Sequence, residues 1–212
     1  MGRVTPRADY YHAQLVGSGA ELWLARRGIW AVSVIDWRLG YVRQPLGGDE
    51  RFVGCLTIPY FDGLGRERGM RFRPLYANPP AKYLSRVDDR PHLFAPMYTE
   101  CPKVFVAEGE IDTITLWQTG RKAVGVPGAS AWQESWKWLF RNCGEVVLVF
   151  DNDLEKVRPD GTRVNPGQLA ASRVYRDLES LGLSVRNVRL PVGHDVNSLC
   201  LADRRLLEDL LG

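Results

Sequence analysis

Three short acidic segments stand out because each follows a run that reads as a strand. Glu108-Gly109-Glu110 follows Val104-Phe105-Val106-Ala107, Asp151-Asn152-Asp153 follows the run from Val146 to Phe150, and His194-Asp195-Val196-Asn197 follows the run from Ser184 to Leu190. If these runs are parallel strands, the acids reach one edge of one sheet, the edge where such sheets build their sites. Carboxylates gathered there repel one another and resist ionisation unless their charge is offset. A hard divalent cation offsets it, and Mg²⁺ takes a few carboxylates, retained waters and substrate phosphates. The chemistry these residue types point to is metal-assisted phosphoryl transfer. An isolated Asp-x-Asp after a strand also serves as a helix cap or a solvated loop. Glu108 and Asp195 at other strand ends favour the site. Glu110 and Asp112 read as first-turn acids favoured by a helix dipole, and His194 as a loop residue.

The elements that must position these acids alternate. From Pro102 onward, strands are expected at 104–107, 123–126, 146–150 and 184–190. Helices are expected at 111–118, at 131–141 (rich in Trp), at 168–181 and at 198–211, with Gly120 and Gly182 as stops. This alternation predicts an α/β domain, a mostly parallel sheet with helices on both faces. Trp132, Trp136 and Trp138 are read as core packing against the sheet. The loop holding Gly125, Gly128 and Ser130 is either a plain turn or a loop whose amides approach a phosphate.

The front of the chain is built differently. Residues 9–40 read as helical, with Ser18-Gly19-Ala20-Glu21 as a capping box and Gly28 as a stop. Residues 52–58 and 69–75 read as strands joined through Asp62-Gly63-Leu64-Gly65. The alternation in Met70-Arg71-Phe72-Arg73 puts Arg71 and Arg73 on one face. Residues 77–102, with Pro79, Pro80, Pro91, Pro96 and Pro102, form an irregular connector. The expected division is therefore 1–102, a smaller basic α+β subdomain; 103–197, the α/β domain; and 198–212, a C-terminal helix.

Charge follows the same division. Residues 1–100 carry 14 basic and 10 acidic side chains, and residues 101–212 carry 14 basic and 15 acidic. A basic front and a slightly acidic back suit a polyanion held by one part and cations by the other. Between residues 51 and 86 seven basic residues face only Asp62 and Glu67. The 212 residues contain no apolar run long enough for a bilayer and no secretory leader, so membrane and secreted classes are set aside and a cytoplasmic location is expected. Cys55, Cys101, Cys143 and Cys200 are too scattered for a zinc ribbon, so no zinc is expected, and reduced thiols are the plain reading.

These motifs, taken in order, resemble a known family. Glu108-Gly109-Glu110-Ile111-Asp112 resembles the Glu-Gly-x-x-Asp opening of the Toprim domain, and Asp151-Asn152-Asp153 its Asp-x-Asp motif. Asp195-Val196-Asn197 resembles the third acidic element of primases. Upstream, Trp23-Leu24-Ala25-Arg26-Arg27-Gly28-Ile29, Arg38-Leu39-Gly40-Tyr41-Val42, Leu56 to Asp62, and Ala81-Lys82-Tyr83-Leu84-Ser85 are similar to the catalytic core of DnaG-type DNA primases.

The resemblance implies template-directed synthesis of short RNA primers on single-stranded DNA, a nucleotidyl transfer using two or more Mg²⁺ or Mn²⁺ ions. By the match, Asp151, Asp153 and Asp195 are metal ligands, and Glu108 is a ligand through water or the base for the attacking hydroxyl. Arg73 and Lys82 match basic groove residues that hold template or nucleotide phosphates, with Arg71 on the same face. Tyr83 either stacks on a base or sits in the core. Implied partners are single-stranded DNA, ribonucleoside triphosphates, a replicative helicase and a zinc-binding module on a separate chain. The family's zinc ribbon, most of its helical subdomain and its helicase-binding part have no counterpart here, and the loop from Arg158 to Gly167 is longer than the family pattern. The chain therefore reads as a minimal core, phage- or plasmid-like, or as a piece of a longer protein. Two other readings compete: a metal-dependent Toprim nuclease, and a non-catalytic single-stranded DNA-binding module. A topoisomerase would need a gate domain for which there is no room. A phosphatase using an Asp-x-Asp nucleophile would need a different residue pattern after Asp153.

Overall fold

The computed structural model describes residues 6–157 and 160–212. The chain forms two compact units, Met1–His92 and Leu93–Gly212. The boundary expected at Pro102 lies inside the second unit, because Phe94 exchanges both backbone hydrogen bonds with Gly125, at 2.8 and 2.9 Å. The Pro-rich connector is thereby divided, with Leu84 bridging to Phe72 in the first unit.

The first unit opens with three short helices, α1 (Arg7–His12), α2 (Gly19–Arg26) and α3 (Ala31–Asp36). Ser18 caps α2 as expected, accepting from the amides of Ala20 and Glu21. The reciprocal arm differs: the Glu21 carboxylate accepts from the Gly17 amide, one residue before the cap. A three-stranded antiparallel sheet follows, in the order β1 (Gly40–Tyr41), β2 (Cys55–Phe61) and β3 (Glu67–Pro74). The strand expected to begin at Phe52 begins at Cys55, because Glu50–Phe52 forms a 3₁₀ turn and Gly54 reverses the chain with φ of +84°.

Beneath this sheet Phe52 stacks on Phe72 with centroids 3.8 Å apart, and Tyr11 meets Phe72 edge-on. An entirely buried carboxylate, Asp49, ties the layers together. It accepts from the Tyr11 hydroxyl and from Arg86 Nε, both at 2.6 Å. Burial, and then the bond to Asp49, push the Tyr11 phenol well above its ordinary range. Burial pushes the Cys55 thiol up to about 11.

The second unit is the expected α/β layer structure, a four-stranded parallel sheet in the order β5-β4-β6-β9. The elements run β4 (Lys103–Glu108), α4 (Glu110–Gln118), β5 (Ala123–Val126), β6 (Glu145–Val149), a two-stranded hairpin of β7 (Lys156–Val157) and β8 (Arg163–Val164), α5 (Pro166–Glu179), β9 (Ser184–Asn187), α6 (Val196–Ala202) and α7 (Arg204–Leu211). The central strands β4 and β6 are apolar on both faces because helices cover both. One core layer joins Val104, Val106 and Leu148 to Val174 and Leu178 of α5, and the other joins Phe105, Val147 and Val149 to Leu116, Leu207 and Leu211.

Two expected helices are corrected. The Trp-rich segment is a 3₁₀ helix over Glu134–Phe140, where crowded aromatic side chains disfavour a regular α-helix. Trp132 is buried and its indole N–H donates to Asp177 at 2.7 Å, but Trp138 is exposed rather than core. The single final helix is two, because Asp203 takes extended backbone angles and caps α7 by accepting from the Leu206 amide. This break returns Leu207 and Leu211 to the core. Among the described residues no helix is long and apolar enough to cross a membrane.

Candidate active site

Each acidic segment lies past the carboxyl end of a strand, as the alternation requires. Glu108 ends β4, and Asp151 follows the neighbouring β6 by two residues. The Glu108 carboxylate and the main-chain carbonyl of Asp151 both lie at the first turn of α5. A Cβ built on Gly167 would collide with the Asp151 carbonyl and lie 3.1 Å from Glu108 Oε2, so only glycine lets α5 start against both residues. The positive end of the α5 dipole thus faces the carboxylate. Glu108 Oε1 accepts from the Ala129 amide at 3.0 Å. The loop after β5, read either as a plain turn or as a phosphate-approaching loop, therefore presents an amide to Glu108.

Asn152, between two acidic neighbours, is buried. Its Nδ2 donates to the Leu190 carbonyl at 2.6 Å, and its backbone pairs with Gly193 and His194. Its Oδ1 accepts from Asn165 Nδ2, which also donates to the Asp153 carbonyl. This one side chain pins the loop carrying Asp195 to the loop carrying Asp151 and Asp153. Asp153 itself is exposed.

Asp195 caps α6. It accepts from the Ser198 amide at 2.6 Å, and the Ser198 hydroxyl accepts from the Asp195 amide in return. Asn197, the last residue of the third acidic element, is buried; its amide donates to Asp112 Oδ1 at 2.8 Å and its Nδ2 to Thr115 at 3.0 Å. Asp112 thus joins α4 to α6, and Glu110 is buried as well, beyond the first-turn role read for both. Oxygen donors of this kind suit a hard divalent cation. Among the described residues no three His, Cys, Asp or Glu side chains are grouped closely enough to hold a metal ion. At Gly167 the Glu108 carboxylate comes near the main-chain carbonyl of Asp151, while Asp153 and Asp195 stand further along their loops.

In the basic unit, Arg71 and Arg73 share a face of β3 while Met70 and Phe72 fill the core. Tyr83 meets both: the Arg71 guanidinium lies 4.3 Å from its ring centroid and that of Arg73 lies 5.1 Å away, and Arg73 Nη1 donates to the Tyr83 hydroxyl at 3.0 Å. Trp23 of α2 extends the group, with Arg73 at 4.6 Å and Arg27 at 5.2 Å from its ring. Tyr83 is therefore half-buried among guanidinium groups, and Lys82 is exposed beside it. Trp23, Asn152, Gly167 and the Ala129 amide are the contributors that motif reading passed over. A Pro-Gly pair opening a helix after Asp-x-Asp was the available sign for Gly167.

Comparison with known proteins gives the class first. A family model described as Toprim-like matches residues 105–200. The fold is that of DnaG-type primase catalytic cores. The zinc-binding and RNA polymerase domains of Aquifex aeolicus primase align over 95% of this chain with a TM-score of 0.76 at 22% identity. The chain spans 58% of that protein's length. A DnaG primase catalytic domain bound to single-stranded DNA aligns over 96% of this chain and 77% of its own, with a TM-score of 0.72 and 22% identity. In sequence, Gene 57 protein of Mycobacterium phage D29 is 32% identical over 154 residues, 70% of this chain and 91% of that protein. The chain belongs to the family of that phage protein.

Proposed function

We propose that this chain is the catalytic core of a DNA primase, joining ribonucleotides on a single-stranded DNA template. The observation that carries the reading is the Glu108 carboxylate beside the Asp151 main-chain carbonyl at Gly167, on the carboxyl edge of a parallel sheet in a primase-core fold. The reaction is attack of a 3′-hydroxyl on an α-phosphate, with pyrophosphate leaving. Mg²⁺ or Mn²⁺, when bound, neutralises the phosphates and eases loss of the hydroxyl proton. Glu108, Asp151, Asp153 and Asp195 are the residues we assign to hold these ions. The Ala129 amide and the α5 dipole orient Glu108, which either takes the hydroxyl proton or holds an ion through water.

Arg71, Arg73, Lys82 and Tyr83 are assigned to the backbone of the template or the phosphates of the nucleotide, with Tyr83 and Trp23 setting the planes of the guanidinium groups. Partners on this reading are single-stranded DNA, ribonucleoside triphosphates, a replicative helicase and a separate zinc-binding module. The test incubates template, ribonucleotides and Mg²⁺ or Mn²⁺ with the wild type, Glu108→Gln and Asp151→Asn. We expect primer synthesis to fall at least about a hundredfold in both variants. Undiminished synthesis by both ends the assignment. Degradation without synthesis selects a nuclease, and DNA binding without either selects a binding module.

A further inference from the structure

Of the four carboxylates assigned to the ions, Asp153 alone is exposed, so packing does not place it and its position follows from its main chain. The side chain that reaches that main chain is Asn165, which lies outside all three acidic segments. Its Nδ2 donates to the Asp153 carbonyl at 2.7 Å, across a separation of 12 residues. The hairpin between them makes the contact possible. It pairs Lys156 with Val164 and Val157 with Arg163, and so returns residue 165 to the point where the segment left the acidic loop.

Three hydrogen bonds use this one amide. Nδ2 also donates to Asn152 Oδ1 at 2.8 Å, and Oδ1 accepts from the Gln168 amide at 3.2 Å as the cap of α5. The polarity of the chain of bonds is set from both ends. Asn152 Nδ2 donates to the Leu190 carbonyl, which leaves Asn152 Oδ1 to accept, and the Asp153 carbonyl can only accept. A flipped Asn165 amide would set oxygen against oxygen at both places, and a carboxylate or hydroxyl at 165 would not supply the two donors that a single amide nitrogen does.

The side chain therefore does two separable things. Its oxygen caps a 14-residue helix, which a serine does as well. Its nitrogen ties the Asp153 carbonyl to Asn152, which is bonded onward to Leu190 and, through its main chain, to Gly193 and His194. A helix cap needs only the first. The second acts on the residue that carries the exposed carboxylate.

We infer that Asn165 is a positioning residue for Asp153, holding the main chain of that residue where its carboxylate meets a divalent ion. The inference rests on the assignment of Asp153 to the ions, and deepens it by giving the long segment between Asp153 and α5 a task. Groups that orient metal ligands from behind change metal affinity by roughly 10–100-fold when removed.

The test measures Mn²⁺ binding to the full chain by electron paramagnetic resonance of the free ion, without nucleotide or DNA, together with the melting temperature of each variant. Asn165→Ser keeps the cap and loses the two donor bonds, and Asn165→Ala loses all three. Both are expected to bind Mn²⁺ about tenfold more weakly than wild type, and equally so, while Asn165→Ala melts about 3 °C below Asn165→Ser. In an Asp153→Asn background, Asn165→Ser is expected to weaken binding further by less than about twofold, because it acts through Asp153. Asn165→Ser binding Mn²⁺ as tightly as wild type overturns the inference. So does an affinity that falls in step with the melting temperature, and so does an undiminished further loss in the Asp153→Asn background. A wild type that binds no Mn²⁺ overturns it outright. If Mn²⁺ affinity depends on Asn165 as expected but the wild type makes no primers, the primase reading fails and the inference stands. If primers form and Asn165→Ser needs no more Mn²⁺ than wild type to make them, the inference fails and the reading stands.

Discussion

The two units hold their charged groups by opposite means. In the basic unit, side chains position side chains: Arg71 and Arg73 lie on Tyr83, Arg73 and Arg27 lie on Trp23, and the fold below is tied by the buried Asp49 pair. In the Toprim-like unit the main chain does much of the positioning: an Ala129 amide on Glu108, a bare Gly167 against Asp151, and a backbone bridge from Asn152 to His194. Cation–aromatic contacts tolerate some sliding and suit contact with a flexible polyanion. Carboxylates meant for divalent ions need tighter placement, and backbone groups move less than long side chains. The difference predicts that one unit responds most to deletion of a side chain and the other to the addition of a single methyl group.

Deletion in the basic unit is expected to have the larger cost. Asp49→Ala strips the partner from the partly exposed Arg86 and from the buried Tyr11 hydroxyl, and should cost about 2–4 kcal/mol, read from urea denaturation. A loss below about 1 kcal/mol would show that the pair contributes little, and the contrast would lose its first half. Gly167→Ala is the matching addition. It forces α5 off the Asp151 carbonyl and crowds Glu108, at a cost of about 1–3 kcal/mol. It should also remove most of the primer synthesis assigned to the wild type while leaving single-stranded DNA binding within about twofold. Equal loss of both would mean that backbone placement is not what the acidic site depends on.

The smallest expected effect concerns alkaline pH. Cys55, held protonated to about 11, and Tyr11, held protonated more strongly still, keep protons that the unfolded chain releases from about pH 9 upward. Their contribution to stability is full below that point and is lost as the pH rises through 11. The urea midpoint of the basic unit should therefore be lower at pH 10.5 than at pH 8, and an unchanged midpoint would contradict the burial of both groups.

Much of this arrangement was legible in the residues. Period and composition gave the parallel strands, because runs such as Val146 to Val149 are apolar on both faces and only a covered sheet accommodates them. The same alternation located Glu108, Asp151 and Asp195 past strand ends. The Arg71–Arg73 face followed from a two-residue period. Less legible was whatever depends on approach rather than pattern. Nothing in Pro166-Gly167-Gln168 taken alone says which carbonyl the glycine must clear. Asp203 looks like any polar residue on an amphipathic helix until its backbone angles end one helix and its side chain begins another. The aromatic residues from Trp132 to Phe140 carry a helical spacing, but their bulk tightens the segment into a 3₁₀ turn.

Asn152 carries a consequence for how damage to this protein would look. It sits between two acids and bears no charge, yet four hydrogen bonds running through it join three loops. Replacing it would leave every ionisable group intact and the net charge untouched while letting the strand-end loops drift apart. A survey that scores variants by whether they alter an acid or a base would pass such a change as silent.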